Sequence, residues 1–213
     1  MKAVIAGAGT YGSVYRYYIA EQKKYHLVAY LDDDPGKNGQ TIDGLPVIGG
    51  LRAFEKLLGM GVEAIFCPIG NNKIRQKYLR ECKKNGFVTP GFVHQSVIIP
   101  ENTQLGEAVY ILPGSIIMPF VEIHDYVMIS MGVKVAHHTV LREASFLSTG
   151  VNMGAGIDFG VCAFAGIGST ITTGIKQVGD HATIGAGAVI IRDVPAGAVV
   201  VGNPGRVLGS RGT

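Results

Sequence analysis

Two adjacent histidines, His137 and His138, are the first residues in the chain whose type suits proton transfer. An imidazole with an ordinary pKa near 6.5 can take a proton from an amine or a hydroxyl at about neutral pH, as a general base must. On residue type alone the pair also fits solvated polar bend positions. The other histidines offer less. His26 and His94 fall at strand edges and read as structural. His124, His137 and His181 lack a metal-ligand spacing, so no metal is expected. Cys67, Cys82 and Cys162 are odd in number and far apart, which fits a reducing compartment rather than a disulfide framework. Cys162 has no fixed base beside it and reads as a small buried or bend residue, not a nucleophile.

A second candidate lies near the start. Gly7-Ala8-Gly9-Thr10-Tyr11-Gly12 follows an apolar run, Ala3 to Ala6, and opens a helical stretch to about Lys24. This spacing turns the chain sharply and sets backbone N–H groups at a helix start against a phosphate. Asp32 and Asp33 follow about 20 residues later, after a second strand, His26 to Leu31. Further on, Leu51 to Leu58 looks helical, Ala64 to Pro68 is a strand, and Gly70-Asn71-Asn72 opens a helix to about Lys84. Phe87 to Phe92 is a last short strand. Alternating strands and helices imply a parallel sheet. The bland reading is a tight strand–helix turn without a ligand. About 90 residues precede the repeats described next, enough for one mononucleotide half and not for a full dinucleotide fold.

The histidine pair sits in a six-residue repeat. Cut from Ser96, the fourth places are Ile99, Leu105, Ile111, Ile117, Ile123, Ile129, Val135, Leu141, Leu147, Met153, Phe159, Ala165 and Ile171, all apolar. With 47% of residues apolar, chance gives such a run odds of roughly one in ten thousand. One extra residue enters between Gly174 and Asp180, and the phase resumes at Val178, Ile184 and Ile190. Neither a helix nor an exposed strand has this period. A short strand and a bend, repeated, does. Three such units make one triangular coil, and about five coils are expected, each covering its apolar edge only against its neighbours. Gly106, Gly132, Gly150, Asn152 and Gly154 are read as bend residues with backbone freedom. His137 closes the block Gly132 to His137 at one bend.

The totals exclude several classes. Net charge is +3, and no basic run marks a nucleic-acid or membrane surface. No apolar stretch reaches the ~18 residues of a membrane span. The first apolar run is too short for a signal peptide, so a cytoplasmic location is expected.

The hexads, with Val199-Val200-Val201-Gly202-Asn203-Pro204 after them, resemble the hexapeptide-repeat acyltransferases. More narrowly, Gly7 to Gly12, Leu31-Asp32-Asp33, Ile69-Gly70-Asn71-Asn72 with Arg75, Met118-Pro119 and Val135-Ala136-His137 resemble the sialic acid O-acetyltransferase and bacillosamine N-acetyltransferase family of sugar acyltransferases. The resemblance covers nearly the whole chain. It implies an α/β Rossmann-like half-domain over 1–94, followed by an all-β left-handed parallel β-helix over 95–213. It implies a nucleotide-activated sugar or sialic acid-type acceptor held by Gly9, Thr10, Tyr11, Asp32, Asp33 and Gly70. Acetyl-CoA as co-substrate would lie between subunits of a homotrimer, near Phe146, Ile167, Ala186, Gly202 and Asn203. His137 is implied as the base of direct acetyl transfer to an amine or hydroxyl. The family's Gly-Gly-His-Gly stretch reads Gly9-Thr10-Tyr11-Gly12 here. Where several relatives carry an acid after the base, this chain has His138, and Phe146 stands where some carry a second histidine. Two other classes compete: a non-catalytic nucleotide-sugar-binding scaffold, and an NAD-dependent oxidoreductase built on the N-terminal glycines.

Overall fold

The computed structural model describes residues 1–210. The chain divides into two compact units, Met1–Gly91 and a second beginning at Phe92.

In the first unit, β1 (Lys2–Ala6), β2 (His26–Leu31) and β5 (Ala64–Phe66) form a parallel sheet in the order β2-β1-β5. Its central strand is apolar because it is covered throughout: Ala3 to Ala6 are fully buried. Helix α1 (Thr10–Glu21) follows β1, and α3 (Asn72–Lys84) follows β5. Between β2 and β5 lie a hairpin, β3 (Thr41–Ile42) with β4 (Leu45–Pro46), turned on Asp43-Gly44 at φ 48° and 78° and not among the elements expected above, and α2 (Phe54–Gly59). The stretch expected as a last strand, Phe87 to Phe92, is divided. Val88 makes a parallel bridge to Ala64, whereas Phe92–Val93 pairs with Tyr110–Ile111 in the second unit.

The second unit is a parallel β-helix. Its three faces are stacks of short strands, successive strands on one face mostly lying 18 residues apart. Face one carries Phe92–Val93, Tyr110–Ile111, Met128–Ile129, Phe146–Leu147, Phe164–Ala165, Thr183–Ile184 and Ala198–Val201. Arg206–Ser210 then pairs antiparallel with the last of these. Face two runs from Ile116–Ile117 to Val189–Ile190, and face three from Gln104–Leu105 to Gln177–Val178. With the bridges Ile98–Ile116 and Val178–Val194, the stack makes about six coils, not five. The sequence undercounts because the phase changes after Ile190: Val200 pairs with Ile184, 16 residues away.

Fourth-place side chains from Ile111 to Ile171 fill the prism and are essentially unexposed. Leu105 is the exception at 43% exposure, because no earlier strand covers it on face three. The bend positions differ in one respect from expectation. From Ala108 to Gly168 the first residue of each block takes the left-handed backbone even where it is not glycine, as at Ala108, Phe120, His138 and Cys162. Asn152 is a strand residue, not a bend residue. Gly154 is required for a different reason: a Cβ there would lie 2.4 Å from the Thr173 amide of the next coil.

Candidate functional site

All six residues assigned to acceptor binding line one cavity of about 420 Å³ in the first unit: Gly9, Thr10, Tyr11, Asp32, Asp33 and Gly70. The glycine spacing explains the near wall. Gly7 sits at φ 96°, a conformation that side chains oppose, and its amide bonds the Leu31 carbonyl at 2.7 Å. Gly12 packs so closely that a Cβ would lie 1.9 Å from the Gly7 carbonyl oxygen. Helix α1 therefore starts directly on the end of β1, with Thr10 and Tyr11 on its first turn.

Asp32 anchors the opposite wall. Its Oδ2 accepts from the Ala8 amide at 2.9 Å and from Lys37 Nζ at 2.8 Å, and its Oδ1 accepts from the Asp34 amide at 3.0 Å. Burial raises its pKa, but the Lys37 hydrogen bond and the two backbone donors outweigh this and hold it below the usual value. Asp33 Oδ1 accepts from the Leu51 amide at 3.0 Å, fixing a second loop. The floor comes from the Ile69 to Asn72 segment. Arg75 is fully buried; its Nη1 donates to the Ile69 carbonyl at 2.7 Å and its Nη2 to Asn72 Oδ1 at 3.0 Å. Asn71 Oδ1 accepts from the Ile74 amide and caps α3.

The sequence missed Lys37, Ile74 and Tyr78, which line the same cavity. Tyr78 and Lys37 carried no motif. Lys37 could have been suspected only from a cation five residues after Asp32. Burial, then the nearby Asp33 carboxylate, raises the Tyr78 pKa well above its ordinary value. A cavity beside a glycine turn and a helix start is an arrangement whose backbone N–H groups can accept a phosphorylated ligand, with Asp32 and Asp33 anchored on the far wall.

In the second unit the remaining candidates separate onto corners of the prism. Ile167 and Ala186 stack on the corner between faces one and two. The Gly187 amide bonds the Ile167 carbonyl at 2.8 Å, and the Gly202 carbonyl accepts from Val189 at 3.0 Å. Ile167, Ala186, Gly202 and Asn203 are all exposed. Phe146 is not on this corner. It is buried on face one, its ring 5.5 Å from that of Phe164. His137 and His138 stand on the next corner, between faces two and three, and both are exposed. The His137 carbonyl accepts from the Gly156 amide at 3.0 Å, and the two Nδ1 atoms lie 2.9 Å apart. Glu143, the carboxylate nearest after His137 in sequence, is one corner further on and lines a different cavity, with His124 and Asp125. His181 lies at the corner between faces three and one, apart from His137. Cys162 is buried at that corner too, and all three cysteines are free. Burial pushes the Cys82 thiol up to about 12, far from a nucleophile's range. Among the described residues no helix is long and apolar enough to cross a membrane.

Residues 2–82 match the PglD N-terminal domain family, and residues 102–137 match the bacterial transferase hexapeptide family of six repeats. The structure is similar to that of PerB from Caulobacter crescentus in complex with CoA and GDP-perosamine. The TM-score is 0.84 at 29% identity, over 98% of each chain. It is similar as well to the acetyltransferase domain of PglB from Neisseria gonorrhoeae, with a TM-score of 0.88 at 28% identity over 97% of this chain and 99% of that one. Among curated proteins, the bifunctional protein GlmU of Acinetobacter baylyi is 32% identical over 126 residues, 51% of this chain; the chain spans only 27% of that protein's length. The chain thus joins a PglD-type N-terminal domain to a hexapeptide-repeat β-helix, and over nearly its whole length it resembles the hexapeptide-repeat sugar acyltransferases of the sialic acid O-acetyltransferase and bacillosamine N-acetyltransferase group.

Proposed function

We propose that this protein transfers an acetyl group from acetyl-CoA to the amino group of a nucleotide-activated sugar, with His137 as general base and no acyl-enzyme. The observation that carries this is the first-unit cavity, where a glycine turn, a helix start and Asp32 meet as a nucleotide diphosphate site requires. PerB, similar over its whole length, is a GDP-perosamine N-acetyl transferase and holds CoA and GDP-perosamine in its structure. This supports an amine over a hydroxyl as the acceptor.

The chemistry balances simply. The amine lone pair attacks the thioester carbonyl, the C–N bond forms, and the C–S bond breaks. The nitrogen's proton passes to His137 and leaves on the CoA thiol. A backbone N–H from the glycine-rich corners would hold the oxyanion. Within one chain, the corner of Ile167 and Ala186 is separated from that of His137 by face two. A homotrimer brings one subunit's donor corner to its neighbour's histidine. Exposed Ile116, Met118, Met131 and Ile167 on face two and its flanking corners support such an interface.

The test is CoA release with a panel of GDP- and UDP-linked amino sugars, for the native chain and His137→Ala. Release by the native chain and its loss in the variant are expected. Tight nucleotide binding with no release for any acceptor would make the protein a scaffold. Near-normal turnover of the variant would remove His137 from the mechanism.

A further inference from the structure

We infer that His138 is the positioning partner of His137, a neutral imidazole that fixes the tautomer of the base; this rests on the His137 reading above. The two Nδ1 atoms face each other at 2.9 Å, with the rings edge-on at 89°. Two lone pairs at that distance repel, and so do two N–H groups, so one proton lies between them. When that proton belongs to His137, its Nε2 lone pair is free to receive the acceptor's proton. His138 then accepts through Nδ1 and carries its own proton on Nε2. As His137 becomes an imidazolium, the same bond becomes charge-assisted and strengthens. A full negative charge is not needed to hold the tautomer.

The geometry is supported on both sides. The His137 backbone is tied to the next coil through Gly156, and the His138 ring packs on Phe120 of the preceding coil with centroids 4.8 Å apart. His138 also lines a cavity of about 320 Å³ with Asn102, Thr103, Gln104, Phe120 and Glu122. Glu122 is the titratable group lining that cavity with His138, and it also interacts with His124 at 3.8 Å and with Arg142. The coils flanking the pair present Phe120 and Ala155 at the same corner, neither charged.

The experiment uses the full chain with His138→Ala, His138→Asn and His138→Asp. Alanine is compatible with the bend, since Ala108 and Ala144 hold the equivalent left-handed places at φ 47° and 55°. Nitrogen-15 ring shifts, assigned with single His→Gln variants, read the tautomer of His137 without any acceptor. Turnover is followed with acetyl-CoA and GDP-perosamine between pH 5.5 and 9. We expect His137 as the Nδ1–H tautomer in the native chain and as the Nε2–H form in His138→Ala, with kcat about 10- to 100-fold lower and KM little changed. His138→Asn, whose amide oxygen accepts the same bond, restores most of the rate. His138→Asp moves the acidic limb of the pH profile upward. An unchanged His137 tautomer in His138→Ala overturns the inference, as does an unchanged kcat and pH profile while His137→Ala is inactive. Near-normal turnover of His137→Ala would instead overturn the base assignment, and the nitrogen shifts would still decide the bond.

Discussion

Replacing Gly12 by alanine separates two opposing effects of known sign. Gly12 lies inside α1, where alanine is favoured over glycine by about 1 kcal/mol. Its Cβ, however, would lie 1.9 Å from the Gly7 oxygen, 3.1 Å from the Gly7 carbonyl carbon and 3.4 Å from a Tyr30 ring carbon. Non-bonded carbons rest about 3.5–4.0 Å from their neighbours, so α1 would have to move from β1 by more than about 1 Å. Both nearest atoms are backbone, which yields poorly, so the cost sits at the upper end of overpacking, about 3 kcal/mol. The net loss is about 2 kcal/mol. With a urea slope near 2 kcal/mol/M, the midpoint falls by about 1 M. Tyrosine fluorescence suits the measurement, since the chain has no tryptophan and Tyr11, Tyr15, Tyr17, Tyr18, Tyr25, Tyr30 and Tyr78 all belong to the first unit. Nucleotide affinity should fall as well, because Thr10 and Tyr11 move with the helix. Gly9→Ala is the control: its Cβ meets nothing within 4 Å and its backbone is extended, so it loses only the preference for glycine at the N-cap and the midpoint falls by no more than about 0.5 M. A Gly12→Ala midpoint equal to or above the native one would mean that helix propensity wins and that close approach does not explain the spacing.

Leu141→Ala, at a fully buried place in the prism, should cost about 2–5 kcal/mol in urea unfolding followed by circular dichroism; a cost under 1 kcal/mol would contradict a close-packed interior. Asp32→Asn should lower stability at neutral pH by less than about 1 kcal/mol, since the ion pair with Lys37 is partly exposed. Because the folded pKa of Asp32 is depressed, its contribution is present above the unfolded value of 3.8 and is lost as pH falls through the folded one. A native-minus-variant difference that persisted at pH 2 would contradict this. Tyr78→Phe should lower stability by about 1 kcal/mol in urea unfolding and change GDP or UDP affinity by less than about 2-fold in calorimetry, because the hydroxyl is buried beside Asp33 and only the ring lines the cavity. A large loss of affinity with unaltered unfolding would put the hydroxyl in contact with the ligand instead.

What the amino-acid order alone determined was the local and periodic part of the molecule. A six-residue rhythm can bury its fourth places only by coiling, so the prism followed from Ile111, Ile117, Ile123 and their successors without any knowledge of partners. The strand–turn–helix at Gly7 to Gly12 was legible for the same reason: its constraints act over six neighbouring residues. Juxtapositions not forced by a repeat needed the tertiary structure. The division of Phe87 to Phe92 depended on whether β5 or a β-helix strand offered the better edge, which neither segment encodes. Lys37 and Tyr78 reach the Asp32 cavity because a loop and a helix, each placed by its own packing, happen to point there. His137 and His138 are neighbours in any conformation, but only a left-handed bend at His138, with Phe120 beneath its ring, turns their Nδ1 atoms toward each other. Side-chain direction is set by backbone dihedrals and by the next coil, and neither is written in residue type.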